Sequence, residues 1–112
     1  MGVVVTRLAD GEVDAEIELG AKHMAPNGFL HAAAVISLAD SACGHGCLAN
    51  LPEGAESFTT VELKSNHLGT ARDGTITCTA RAVHKGRTTQ VWDAQVVHQQ
   101  TGKTIALFRC TQ

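Results

Sequence analysis

Asp40 is the residue whose setting most invites chemistry. It lies in a run from His31 to about Leu48 that is otherwise Ala, Val, Ile, Leu and Cys, interrupted only by Ser37, Ser41 and His45 among polar side chains. Counted from Ser37, the polar positions fall at offsets of three, four and eight, which is one broad face of a helix. A carboxylate in such a run is costly unless it is partnered or used. Two readings follow. Either Asp40 is solvated on the polar face, or bonded to Ser37, Ser41 or a neighbouring strand, or it reacts. The start of the same helix is the second feature. After Asn27-Gly28, His31 and Ala32 stand at the first turn, where unpaired N–H groups and the helix dipole favour developing negative charge. Cys43-Gly44-His45-Gly46-Cys47 could suggest a metal site. On a helix, however, Cys43 and Cys47 share a face while His45 points away, and no fourth ligand is evident. No metal is expected, and the glycines read as sites of close helix packing. The sequence has no nucleophile elbow, P-loop or dinucleotide-binding glycine motif.

The elements that must carry these groups can be read from pattern. Residues 13–19 alternate Val13, Ala15, Ile17 and Leu19 with Asp14, Glu16 and Glu18, a half-buried strand. Val3–Leu8 can pair with it across Asp10-Gly11. Pro26 and Gly28 break regular structure before the helix, and Asn50, Pro52 and Gly54 end it. Its remaining faces are apolar, so the helix is expected to be buried nearly all round. Four strand-like runs follow at Ser57–Leu68, Gly74–His84, Thr88–His98 and Thr104–Thr111. A helix of about 18 residues spans about 27 Å and needs a sheet curled around it.

Composition narrows the function. The chain has 112 residues, 44% hydrophobic and 18% charged, which is one domain (1–112) with a real core. A net charge of -2 and only 4% aromatics argue against nucleic acid as a partner. No apolar run approaches the roughly 20 residues of a membrane span, and no secretory leader is visible. Met1-Gly2-Val3-Val4-Val5-Thr6 fits a myristoylation pattern, but Val3–Val5 read better as the start of a strand. Cys43, Cys47, Cys78 and Cys110 sit in helix- and strand-like runs and read as buried thiols in a reducing cytoplasm.

The stretch from His23 to Asp40 resembles the signature of the hotdog-fold acyl-CoA thioesterases, in the branch named for the phenylacetic-acid-degradation thioesterase. That branch reads N-P-x-G-x-x-H-G-G, then about six apolar residues, then L-x-D. Pro26, Gly28, His31, Leu38 and Asp40 fall on it. Val61–Leu68 is similar to the family's central strand after the helix, and His84-Lys85-Gly86-Arg87-Thr88 to the loop that meets the CoA tail. There are two departures: Ala32-Ala33 replaces Gly-Gly, and Ala25 replaces the Asn before proline. Asn27 and His23 are the nearby polar candidates to take over from that Asn.

The resemblance implies an α+β hotdog fold, a curved antiparallel sheet of five to six strands around one long helix. It implies a cofactor-independent thioesterase that hydrolyses an acyl- or aryl-CoA. Asp40 would act as nucleophile or general base, and the Ala32 N–H would polarise the thioester carbonyl. His31 would sit near the thioester sulfur, unless it only makes a local bond. Thr60, with Thr59 beside it, would steady the attacking water. His67, Leu68, Gly69 and Arg72, with Lys85, Gly86, Arg87 and Thr88, would form a basic rim for CoA. Ala32 and Asp40 are eight residues apart in sequence, or about 12 Å along one helix. One thioester carbon cannot touch both on the same helix, so the expected site is shared between copies in a homodimer or homotetramer. A non-catalytic hotdog module that binds acyl-CoA as sensor or carrier is the alternative. A hotdog dehydratase fits the spacing less well.

Overall fold

The structure is a computed structural model that describes residues 2–112. Strand β1 (Val4–Ala9) and strand β2 (Glu12–Glu18) form the expected hairpin, turned at Gly11, whose φ of 71° lies in the left-handed region that glycine adopts freely. A short 3-10 turn (Ala21–His23) leads into helix α1 (Ala32–Ala49). Then follow β3 (Glu62–His67), β4 (Thr75–Lys85), β5 (Gln90–His98) and β6 (Thr104–Thr111). All pairings are antiparallel, and the sheet order is β1-β2-β4-β5-β6-β3. This is the hotdog arrangement: one helix laid across the concave side of a six-stranded sheet.

The register explains how the helix fits. Val13, Ala80, Ala94 and Phe108 face one another across four strands, as do Ala15, Cys78, Val96 and Ala106. All eight are buried. Because most are small, α1 can lie close to the sheet. It offers Ala34, Val35, Leu38, Ala39, Ala42, Cys43, Gly46 and Cys47 in return. The large exception is Trp92, fully buried against Gly46, where no side chain could fit without displacing the ring.

Two sequence expectations need correction. The helix is not buried all round: Ser37, Asp40, Ser41 and Gly44 are half-buried, and His45 and Leu48 are exposed. Its apolar count is high because the open face is made of small or weakly polar residues. The run from Ser57 is also not strand throughout. Residues 57–61 form no regular strand, and β3, which begins at Glu62, pairs only with β6 at the sheet edge and is not a central strand. By register, Leu63, Ser65 and His67 fall in line with the core residues Cys110, Phe108 and Ala106. None of the three is buried, because α1 covers β2, β4, β5 and β6 and leaves β3 bare.

Candidate active site

Asp40 lies at the middle of the open face of α1, and two side chains gather around one of its oxygens. The Thr60 hydroxyl lies 3.2 Å from Oδ1 and 2.8 Å from Gln112 Oε1. Gln112 Nε2 lies 3.4 Å from the same Oδ1 and 3.2 Å from Cys110 Sγ. Oδ2 has no hydrogen-bond partner among the described residues. One oxygen is therefore anchored and the other is available. The carboxylate is on the wall of a cavity of about 290 Å³ that it shares with Ser41, Gly44, His45, Leu48 and Phe58. Phe58 divides this cavity from a second of about 200 Å³, lined among others by Pro52, Val61, Arg87, Thr88 and Gln112. A larger depression of about 550 Å³ is on the opposite face of the sheet, among Lys64, Arg81 and Arg109, away from Asp40.

Behind Asp40 three of the four buried thiols are pushed upward, while the hydrogen bond with Cys43 holds the Cys110 thiol below its ordinary value. A hydrogen bond with Cys110, and then burial, push the Cys43 thiol far up. Burial does the same to Cys47 and, with the nearby Asp14 charge, raises Cys78 to about 12. Cys43 and Cys47 face the core, while exposed His45 turns its Nδ1 to the Ser41 carbonyl at 2.8 Å, so the three do not converge.

The helix entrance is built by its loop. Asn27 Oδ1 accepts from the Phe29 N–H at 3.2 Å, and Gly28 takes a φ of 84° that a side chain would strain. The Thr70 hydroxyl accepts from the Leu30 N–H at 3.0 Å. His31 caps the helix: its Nδ1 accepts from the Ala33 N–H at 3.0 Å, which puts the proton of the neutral ring on Nε2. The Ala32 N–H is left with no partner among the described residues. His23 is buried, and its Nδ1 accepts from the Gly20 N–H at 2.9 Å. Both candidates to replace the Asn at Ala25 are thus engaged in the loop itself.

The basic segments are in two places. Arg72 lies over the Phe29 ring, 5.6 Å from its centroid, beside the helix start. His67, Leu68 and Gly69 are at the same end, and the last two donate N–H bonds to the Ile105 carbonyl at 2.8 and 3.2 Å. Lys85, Gly86, Arg87 and Thr88 follow the far end of β4, and Lys85 lies 3.3 Å from Asp10 and 3.4 Å from Asn50. The 11 residues of β4 separate the two groups, a distance of about 35 Å. Within one chain they do not form a single rim. Sequence reasoning missed Gln112 and Phe58. Gln112 had a usable signal, since it continues the inward alternation Phe108, Cys110, where a polar side chain needs an explanation.

Comparison with known proteins agrees with this architecture. Residues 27–105 match the description "Thioesterase superfamily". The 1,4-dihydroxy-2-naphthoyl-CoA hydrolase of Listeria monocytogenes is 31% identical over 99% of this chain and 89% of its own length. The proofreading thioesterase EntH of Klebsiella pneumoniae is 30% identical over 97% of this chain and 78% of its own. Among solved structures, the PaaI protein of the E. coli phenylacetic acid degradation operon superposes with a TM-score of 0.87 at 28% identity, covering 98% of this chain and 77% of that one. With the fold, the helix and the match over most of its length in agreement, the chain belongs to the thioesterase superfamily and is a thioester hydrolase.

Proposed function

We propose that the protein hydrolyses an acyl- or aryl-CoA thioester to the free acid and CoA, with Asp40 as the reacting carboxylate. The observation that carries this reading is the division of labour within Asp40: Oδ1 is held by the Gln112 amide with Thr60 beside it, and Oδ2 has no hydrogen-bond partner among the described residues and lies on the wall of an apolar-lined cavity. As general base, Oδ2 takes a proton from water while the water oxygen attacks the thioester carbon. The carbonyl oxygen becomes an oxyanion held by the Ala32 N–H. The C–S bond then breaks, and the proton passes from Asp40 to the departing CoA thiolate. As nucleophile, Oδ2 would itself attack the thioester carbon and expel the CoA thiolate as the C–S bond breaks, and water would then open the resulting anhydride to Asp40 and the free acid. Incorporation of ¹⁸O into Asp40 in a single turnover in labelled water identifies the nucleophilic route with opening at the Asp40 carboxyl carbon, because general-base catalysis leaves Asp40 unlabelled.

The oxyanion donor comes from a second copy of the chain. Ala32 and Asp40 of one helix are about 12 Å apart, and β3 offers both a free sheet edge and an uncovered inner face. Val61, Leu63 and Leu68 along it are 67%, 38% and 61% exposed. Such a pairing in a homodimer, or in a homotetramer built from it, also bears on the basic segments, which one chain holds about 35 Å apart. Acyl-CoA is the partner, and four free buried thiols suit a reducing cytoplasm.

The test is purified protein against a panel of straight-chain and aromatic acyl-CoA esters, with thiol release followed beside Asp40→Ala. Turnover is expected, and the variant should lose on the order of 10²- to 10⁴-fold in kcat. Full activity in Asp40→Ala refutes the assigned role. Tight binding without turnover across the panel supports the sensor or carrier alternative instead.

A further inference from the structure

Gln112 follows the last residue of β6, yet its side chain is one of the few polar ones in the interior, 5% exposed. Its backbone carbonyl accepts from the Gln90 N–H at 3.1 Å and its N–H donates to the Gln90 carbonyl at 2.8 Å, so the side chain springs from a fixed backbone. The amide touches three groups. Its oxygen is 2.8 Å from the Thr60 hydroxyl, and its nitrogen is 3.4 Å from Asp40 Oδ1 and 3.2 Å from Cys110 Sγ.

A proton count gives this arrangement a direction. Thr60 has one hydroxyl proton and two oxygen neighbours, Gln112 Oε1 and Asp40 Oδ1. The shorter contact is to Gln112. If the proton goes there, the Thr60 oxygen turns a lone pair toward Asp40, and Gln112 Nε2 supplies the N–H that Oδ1 accepts. If the proton went to Asp40, Thr60 and Gln112 would set two oxygens 2.8 Å apart with no proton between them, so the first arrangement is the favoured one. In it Gln112 holds the Thr60 hydroxyl with its oxygen and Asp40 Oδ1 with its N–H, and Oδ1 is the occupied oxygen. The N–H···O contact of 3.4 Å is long, as catalytic hydrogen bonds often are before substrate is bound.

We infer that Gln112 is a positioning residue for the thioesterase reaction: its amide N–H pins Asp40 Oδ1 while its oxygen fixes the Thr60 hydroxyl beside it, which leaves Oδ2 as the oxygen that reacts. This rests on the proposed role of Asp40. The other titratable groups near Asp40 are Cys43 and Cys110 behind it and His45 across the cavity. Gln112 is the neutral amide that lies in direct contact.

The experiment uses full-length protein and the panel ester it turns over fastest, with Gln112→Leu, Gln112→Glu, Thr60→Val, the Thr60→Val/Gln112→Leu pair and Asp40→Asn. Gln112→Leu should lower kcat about tenfold with KM within about twofold, as expected for a lost hydrogen bond to a charged group. The double variant should be no slower than Gln112→Leu alone, because both act through one network. Gln112→Glu keeps the shape but sets a second carboxylate against Asp40. The acid limb of its pH–rate profile should move to higher pH, a change that a packing role would not produce. The same upward movement should be seen in a ¹³C titration of the Asp40 carboxyl, which needs no turnover. Parent-like kcat in a folded Gln112→Leu, additive losses in the double variant, or an unmoved carboxyl titration in Gln112→Glu each overturn the inference. Asp40→Asn tells the two failures apart. If it is inactive while Gln112→Leu is normal, only the positioning role falls; if it is fully active, the role of Asp40 falls and this one with it.

Discussion

Replacing Gly46 by alanine tests how tightly α1 is seated on the sheet. A methyl built at Gly46 comes within 2.4, 2.6 and 2.9 Å of three atoms of the Trp92 ring. Ordinary contact begins at 3.4 Å, so helix and ring must separate by 1.0 Å, the difference between 3.4 and 2.4. The ring cannot yield easily. It is fully buried, and its Nε1–H donates to Gln90 Oε1 at 2.9 Å, while Gln90 Nε2 donates to the Asn50 carbonyl at 2.9 Å. Overpacking of this kind costs about 3 kcal/mol, toward the upper end of its usual range. Alanine in place of glycine in a helix returns about 1 kcal/mol. The net loss is about 2 kcal/mol, a fall in Tm of about 10 °C for a domain of this size. Gly44, two residues earlier on the open face, is the internal control. Its added methyl meets only the tip of Phe58 at 3.3 Å, which a few tenths of an ångström relieve, so Gly44→Ala should gain up to about 1 kcal/mol. Both variants are measured by urea and thermal unfolding at one protein concentration. Gly46→Ala as stable as the parent, or equal shifts in both variants, refutes the reasoning.

Other expectations follow from charge, burial and the open edge. The hydrogen bond from Arg7 holds the Asp14 carboxyl below its ordinary value. The pair's stabilisation is therefore present above the unfolded-state pKa of about 3.9 and lost as pH falls through the folded-state value. The difference in urea midpoint between parent and Arg7→Ala should shrink from pH 7 to below pH 4; an undiminished difference at the lower pH contradicts this. The four thiols are buried and free, so the native protein should consume almost no aromatic disulfide reagent until denaturant is added, and rapid reaction of one equivalent would refute that. Leu63→Lys places a charge on the bare inner face of β3 and should yield a monomer by light scattering, with kcat lost alongside; a fully active dimer would count against the shared site.

Much of this architecture was legible in the sequence because it is local. The alternation of Val13, Ala15 and Ile17, the turn at Gly11 and the helix from His31 to about Leu48 are each written in neighbouring residues, and the structure has them in place, the helix shifted by one residue to Ala32–Ala49. Long-range pairing was less legible. Nothing in the order of elements says that β3, the first strand after the helix, pairs with the last strand and sits at the sheet edge. That placement leaves Leu63 and His67 exposed and Ser65 only half-buried although they share the core register. The same limit explains the basic segments: Arg72 and Lys85 flank one strand, and a strand holds its ends apart. For the site, Asp40 and the helix start could be read from residue types. Gln112 could not be tied to them, because only the pairing of β5 with β6 brings position 112 to the middle of the helix.

The half-open helix separates what keeps the protein folded from what it can recognise. Ala34, Val35, Leu38, Ala39, Ala42, Cys43, Gly46 and Cys47 are spent on the sheet, and they constrain one another through close packing. Ser41, Gly44, His45 and Leu48 line the cavity beside Asp40 and lie outside that packed face. Substitutions on this second stripe can reshape the space for an acyl group one helical turn at a time while leaving the core undisturbed. A single helix thus gives a lineage room to exchange substrates without renegotiating its stability.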